Sequence, residues 1–352
     1  MRKLSAAVIC IILAAVFAFS FQPAASEKKP AVSDQTFAEN DVKEHMWYED
    51  NNLGLASGYP SDIVEGFHNP DTWAEARKNM SVYMVRSSTV KNHPEVFTDA
   101  FLQTMVNVLK ESDVTWAIDS SSSTWLNRSY DRNIEKCQDE MDLIKKIQNM
   151  GGAVSHIGLQ SVLSKDPKDR SDYPMSARIK DCTDYANLME QNGLWGNIKL
   201  GIIDALPTHN DPYEGPYADL QNALRADGHR LDFVHLDCPY EYPQNNIAGM
   251  SWTKVKQVET YVKNTLGIEF TLTCTSTAGK TSALTYHNNV LDLLNQYVNA
   301  GGNADHYAIM AWYEHPRNSI PETAADGSTD ADYPMHKTQK MFAEQLENLT
   351  GN

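Results

Sequence analysis

Short runs rich in Val, Ile, Tyr and Thr recur along the chain, each followed by a longer segment with apolar residues at helical spacing. That alternation marks βα units wound around a parallel sheet. The clearer runs are Ser81–Ser87, Val114–Asp119, Ala153–Gln160, Ile198–Asp204, Leu231–Asp237, Ile268–Cys274 and His306–Trp312; a weaker one, Leu53–Tyr59, precedes them. The helical segments between carry their own punctuation. Asn69 and Pro70 open one as cap and first-turn proline, while Gly151 and Gly152, Gly193, and Gly301 and Gly302 close three others.

Strand and helix pairs in this number fit a single (β/α)8 TIM barrel, a fold of roughly 250 residues or more. The alternative is an open doubly wound sheet with fewer units, and the difference turns on whether Leu53–Tyr59 closes the ring. Domain organisation follows: residues 1–26 a signal peptide, 27–50 a flexible polar segment without periodicity, and 51–352 one barrel catalytic domain with no Pro/Ser/Gly linker inside it.

The N-terminus supports export. Arg2 and Lys3 form a basic start, Ala6 to Phe21 are almost wholly apolar, and Ala24, Ala25 and Ser26 supply small residues for cleavage. As a membrane anchor the run is slightly short. The protein is therefore expected outside the cytoplasm, secreted or periplasmic, with no membrane contact after cleavage. Four cysteines remain beyond the signal, Cys137, Cys182, Cys238 and Cys274, with no CxxC or Cys/His zinc spacing; a Cys137–Cys182 disulfide and plain buried thiols are both open. Asn79-Met80-Ser81, Asn127-Arg128-Ser129 and Asn348-Leu349-Thr350 match the N-glycosylation pattern.

A formal net charge of -16 argues against nucleic acid and anionic membranes as partners. No glycine-rich phosphate loop follows any strand, no GxSxG elbow surrounds a serine, and neither HxH nor HExxH occurs. No cofactor or metal is expected.

In a (β/α)8 barrel the ligand site gathers at the C-terminal ends of the strands. Residues at those ends include Arg86, Asp119 and nearby Trp125, Gln160 with His156 on the same strand, Asp204, Asp237 with His235 below it, Tyr240, Glu241, and the final Trp312-Tyr313-Glu314. This set is rich in carboxylates and aromatics. Glycoside hydrolysis needs that combination: one acid protonates the leaving oxygen, a second carboxylate attacks or activates water, and aromatic faces stack on sugar rings. One group cannot be proton donor and anion in the same step, and burial beside aromatics raises one acid while leaving the other ionised. The catalytic pair is accordingly expected among Asp237, Glu314, Glu241 and Asp204. Trp312, Tyr313, Tyr240, His235, Asp119, Trp125 and His156 are candidates for substrate contact.

In organisation the chain resembles a secreted TIM-barrel glycoside hydrolase, which implies a polysaccharide or oligosaccharide substrate; a monomer is expected. The stretch Leu231–Pro243, LDFVHLDCPYEYP, is also similar to the chitinase-type signature, with Asp232 and Asp237 standing like its acids and Glu241-Tyr242-Pro243 like its ending. His235 replaces one acid of that signature, three residues separate Asp237 from Glu241, and the run is the sixth strand where that family uses the fourth. No specific family is matched. Two other readings stay open: metal-assisted hydrolysis or lyase chemistry with Asp119, Asp204, Asp237 and His235 holding a divalent ion, and a non-catalytic carbohydrate-binding barrel using Trp125, Trp312 and Tyr313.

Overall fold

In the computed structural model, which describes residues 42–49, 62–120, 130–163, 174–207, 212–327 and 329–350, eight parallel strands pair in chain order and close into a barrel. They are β1 (Met46–Glu49), β2 (Val82–Arg86), β3 (Thr115–Ser120), β4 (Val154–Gln160), β5 (Lys199–Ala205), β6 (Phe233–Asp237), β7 (Glu269–Cys274) and β8 (His306–Met310).

Closure rests on β1, which lies against β2 on one side and β8 on the other, with Trp47 opposite Val82 and Ala308. This excludes the open sheet. It also corrects the expected first strand: β1 falls inside the 27–50 segment read as a tether, and Leu53–Tyr59 lies outside the described residues. A four-residue strand has too few positions to display a period of two, so only its two neighbours reveal it.

Alternation along each strand sorts the side chains into two cores. Met46, Tyr48, Tyr83, Val85, Ile118, Leu200, Val234 and Leu236 face outward and belong to the large core beneath the helices. Trp47, Val82, Met84, Ala117, Ile203, Phe233 and Ala308 fill the barrel interior. A register shift between Trp116 and Ala117 sets Ala117 opposite His156, which turns that imidazole inward. Phe233 crosses the middle of the barrel, and Gly201 gives it room: a Cβ there would stand 2.5 Å from the ring. The interior is thus packed and holds no pore.

The outer layer includes helices Asp99–Glu111, Tyr130–Asn149, Met175–Gln191, Glu214–Ala226, Trp252–Thr260, Ala283–Asn299 and Met335–Thr350. Gly151, Gly193 and Gly301 end their helices at φ of 89°, 72° and 84°, as their positions in the sequence suggested. Asn69 differs from expectation. Pro70 does open a 3-10 turn, but the Asn69 side chain makes no cap bond and donates instead to the Glu65 carbonyl. The four cysteines are free and buried, so no Cys137–Cys182 disulfide forms. Among the described residues no helix is long and apolar enough to cross a membrane.

Candidate active site

Inward alternation carries four charged side chains to the C-terminal end of the barrel: Glu49 on β1, Arg86 on β2, Asp119 on β3 and Asp237 on β6. Phe233, His235 and Asp237 share the inward face of β6, since Val234 and Leu236 join the outer core. Arg86 and Asp119 are register partners on adjacent strands, and the guanidinium Nε donates to Asp119 Oδ2 at 2.8 Å. Asp119 is buried and Arg86 about one-third exposed, with a side-chain value of 31%.

Glu49 completes the group. It is 1% exposed, and neither of its carboxylate oxygens meets a donor among the described residues. Burial first, then repulsion from Asp119, pushes its carboxyl well above the ordinary range, with Asp237 adding to the effect and Arg86 opposing it. Its carboxyl lies within hydrogen-bonding reach of Asp119. For Arg86, burial favours the neutral form, but Asp119, Glu49 and Asp237 together outweigh it and hold the guanidinium firmly charged. Asp237 is pushed up to about 8, chiefly by burial and then by Asp204, with Arg86 acting the other way. Its residue remains partly accessible, although Oδ1 is sealed and has no partner. Near neutral pH Asp237 therefore carries a proton beside a charged guanidinium.

The other expected site residues separate into three places. His235 is buried below Asp237; its Nε2 and the Thr273 hydroxyl are 2.7 Å apart, and burial with His306 pushes it down to about 3, so the ring is neutral. His156 is a correction. It lies in the lower half of the barrel, opposite Lys199 at the start of β5 and 4.6 Å from the Trp47 ring, about 13 Å of strand below Gln160. Asp204 is another: it faces the helical layer, where it accepts a 3.0 Å hydrogen bond from the Tyr217 hydroxyl. Period two explains this, because Ile203 beside it points inward.

At the rim, Glu241 is fully engaged. Ser276 Oγ, the backbone N–H groups of Thr277 and Ala278, and Asn289 Nδ2 all donate to it, at 2.6, 2.8, 3.1 and 3.2 Å. Burial alone would raise its carboxyl, but the bonds from Ser276 and Thr277 prevail and hold it below the ordinary range. It is a brace for the loop after β7, which does not suit a proton donor. Glu314 pairs with Arg317, three residues on. The Tyr240 hydroxyl donates to Asp292 at 2.7 Å and is occupied with that helix. Trp312 and Tyr313 follow β8 and are partly exposed, with Lys280 4.9 Å over the Tyr313 ring. Tyr313 lies within electrostatic reach of Tyr242, Asp237 and Glu241, and burial together with these groups raises its phenol. Trp125 lies outside the described residues.

The four residues imagined as a metal cage do not converge. Asp204 faces outward to Tyr217, Asp119 is bound by Arg86 and His235 is tied to Thr273. Among the described residues no group of three or more His, Cys, Asp and Glu side chains is arranged to hold a metal ion.

No family model matches this sequence, and no curated protein matches it. Solved structures do. A fungal β-1,4-galactanase aligns over 86% of this chain and 99% of its own, at TM-score 0.55 and 10% identity. Native xylanase 10B from Thermotoga maritima covers 88% and 97%, at TM-score 0.53 and 13% identity. A D-psicose 3-epimerase covers 88% and 100%, at 0.49 and 12%. The likeness is one of fold. What is shared is the (β/α)8 barrel, a framework that hosts many unrelated activities.

Proposed function

We propose that this protein hydrolyses glycosidic bonds of a polysaccharide or oligosaccharide, with Asp237 as proton donor and Asp119 as its anionic partner. One observation carries the reading: two inward carboxyls at the C-terminal end of the barrel stand in opposite environments, one held protonated to about pH 8 and the other paired with a guanidinium at 2.8 Å. Two carboxyls in such different surroundings can divide acid and base roles between them. Asp237 delivers its proton to the glycosidic oxygen as the bond to the leaving sugar breaks. Asp119, held by Arg86 through Oδ2, attacks the anomeric carbon or takes a proton from the attacking water. Arg86 stays hydrogen-bonded to Asp119 Oδ2 while charge is redistributed.

Trp312 and Tyr313 offer partly exposed aromatic rings for stacking on a sugar, Tyr313 within electrostatic reach of Asp237. Glu241 is left out of the pair because donors hold both its oxygens, and Glu314 because it is paired with Arg317. Export through the signal at residues 1–26 belongs to the same reading, since a glycan polymer is met outside the cell.

The test uses galactan, xylan and a panel of neutral 4-nitrophenyl glycosides. Wild type turns over at least one of them, and Asp237→Asn and Asp119→Asn each lower kcat/KM by about 100-fold or more. Full activity in both amide variants would overturn the assignment. Binding without turnover across the panel would overturn hydrolysis in favour of a carbohydrate-binding barrel.

A further inference from the structure

Buried carboxylates elsewhere in this barrel are well supplied with donors. Glu140 accepts from the hydroxyls of Ser87, Ser120 and Tyr185. Glu259 accepts from Lys256, Tyr297 and the Asn303 N–H, and Glu322 from the N–H groups of Glu75 and Ala76. Glu49 is as buried as any of these, yet neither of its oxygens has a donor among the described residues. An ionised carboxylate left in that position would bear the full cost of lost hydration with nothing in return.

The charged groups around it make the anion worse. Asp119 on β3 is within hydrogen-bonding reach, and the Arg86 Nε is committed to Asp119 Oδ2. Asp119 has the complementary deficit, because its Oδ1 is buried and lacks a donor. A single proton on Glu49 removes both deficits. It neutralises the unsupported carboxylate and supplies the hydrogen bond that Asp119 is missing.

We infer that Glu49 is a neutral carboxylic acid whose O–H donates to Asp119, so that Asp119 is held between Glu49 and Arg86 in one orientation. Glu49 is thus a positioning residue acting through Asp119, and its effect on turnover rests on the reading of Asp119 given above. Arg86 supplies charge and one fixed contact. Glu49 supplies the second contact without adding charge, and two contacts fix the plane of a carboxylate where one leaves it free to turn.

The protonation can be read without any substrate. With 13C label confined to glutamate carboxyls, infrared difference spectra of the full chain at pH 7 should contain a protonated-carboxyl band that Glu49→Gln removes; Asp237 contributes nothing to such a spectrum. Absence of that band in wild type, or its survival in Glu49→Gln, overturns the inference whatever the protein hydrolyses. The second arm is kinetic, on whichever glycan wild type cleaves. Glu49→Gln, which also offers a neutral donor, keeps kcat within about tenfold of wild type, whereas Glu49→Ala loses about 100-fold in kcat with KM little changed. Should Glu49→Gln fall as far as Asp119→Asn, Glu49 would be a reacting carboxylate and not a positioning one. If wild type cleaves no glycan, the proposed hydrolysis fails while the spectrum still decides the state of Glu49.

Discussion

The two ends of the barrel interior handle charge in opposite ways. At the N-terminal floor Lys199 Nζ lies 2.5 Å from Glu269 Oε1, His306 Nε2 is 3.6 Å from the other oxygen, and Lys263 pairs with Asp305 at 2.8 Å. Cations there match the acids. At the C-terminal mouth Glu49, Asp119 and Asp237 face one guanidinium, Arg86. The consequence appears in the acids themselves. Burial would raise Glu269, but the nearby His306 and Lys199 prevail and hold it at about 2, while Asp237 is raised to about 8. A floor that matches its charges suits a structural role, whereas the under-supplied acids at the mouth are those to which proton transfer is assigned in the proposed function.

The sharpest way to break this contrast is Asp237→Asn. Activity should fall by about 100-fold to 10,000-fold, the range for removing a general acid. Stability should move the other way at high pH. An acid raised from 3.8 to about 8 keeps its proton in the folded state after the unfolded chain has lost it. Wild-type stability contributed by this group is therefore full below about pH 4 and falls as pH climbs towards 8. The amide has no such liability. Denaturant melts should show the variant gaining on wild type between pH 5 and pH 9, and an equal or opposite trend would mean that Asp237 has donors enough to ionise freely.

Phe233 separates the two ends, touching Trp47 and His156 on the floor side with ring centroids at 5.8 and 5.5 Å. Gly201→Ala would drive a methyl to 2.5 Å from its ring. Because Phe233 is buried on all sides the ring cannot step aside, and a loss of about 1–3 kcal/mol is expected. Gly196 has open space around a Cβ, and its φ of 85° makes it a control for backbone strain without crowding. If Gly201→Ala cost no more than a surface change, the interior would be looser than close packing implies and the two ends less insulated from each other.

Seven of the eight strands were legible because each combines an apolar run with a following helix, and the place of Asp237 at the end of β6 was legible from the same run. Glu49 was not, and the reason is visible in a repeated tripeptide. Trp-Tyr-Glu occurs at 47–49 and again at 312–314. In the first copy pairing on both sides makes a strand, so Trp47 and Glu49 turn into the barrel. In the second the chain has already left β8, and Trp312 and Glu314 lie at the rim. Identical residues thus yield a buried acid and a surface ion pair. Only the demand for an eighth strand could have pointed to the first copy. The surroundings of Glu241 and Asp204 were not legible for local reasons: donors brought by the loop after β7 surround one, and period two turns the other outward.

The smallest expected effect tests the floor. Glu269→Gln removes a carboxylate whose side chain is 35% exposed and paired with Lys199, so solvent screening limits the loss to about 1 kcal/mol or less at pH 7. Its pH course should mirror that of Asp237. A carboxyl lowered from 4.5 to about 2 contributes stability that is fully present above the ordinary carboxylate range and disappears as pH falls towards 2. The difference between wild type and Glu269→Gln should accordingly be flat from pH 6 upward and close below pH 3, with glycan turnover at neutral pH unaffected because the residue lies at the far end of the barrel. Comparable losses at pH 3 and pH 7 would mean that the floor is held by packing of Trp47 and His306, whose rings lie 5.0 Å apart, and not by its matched charges.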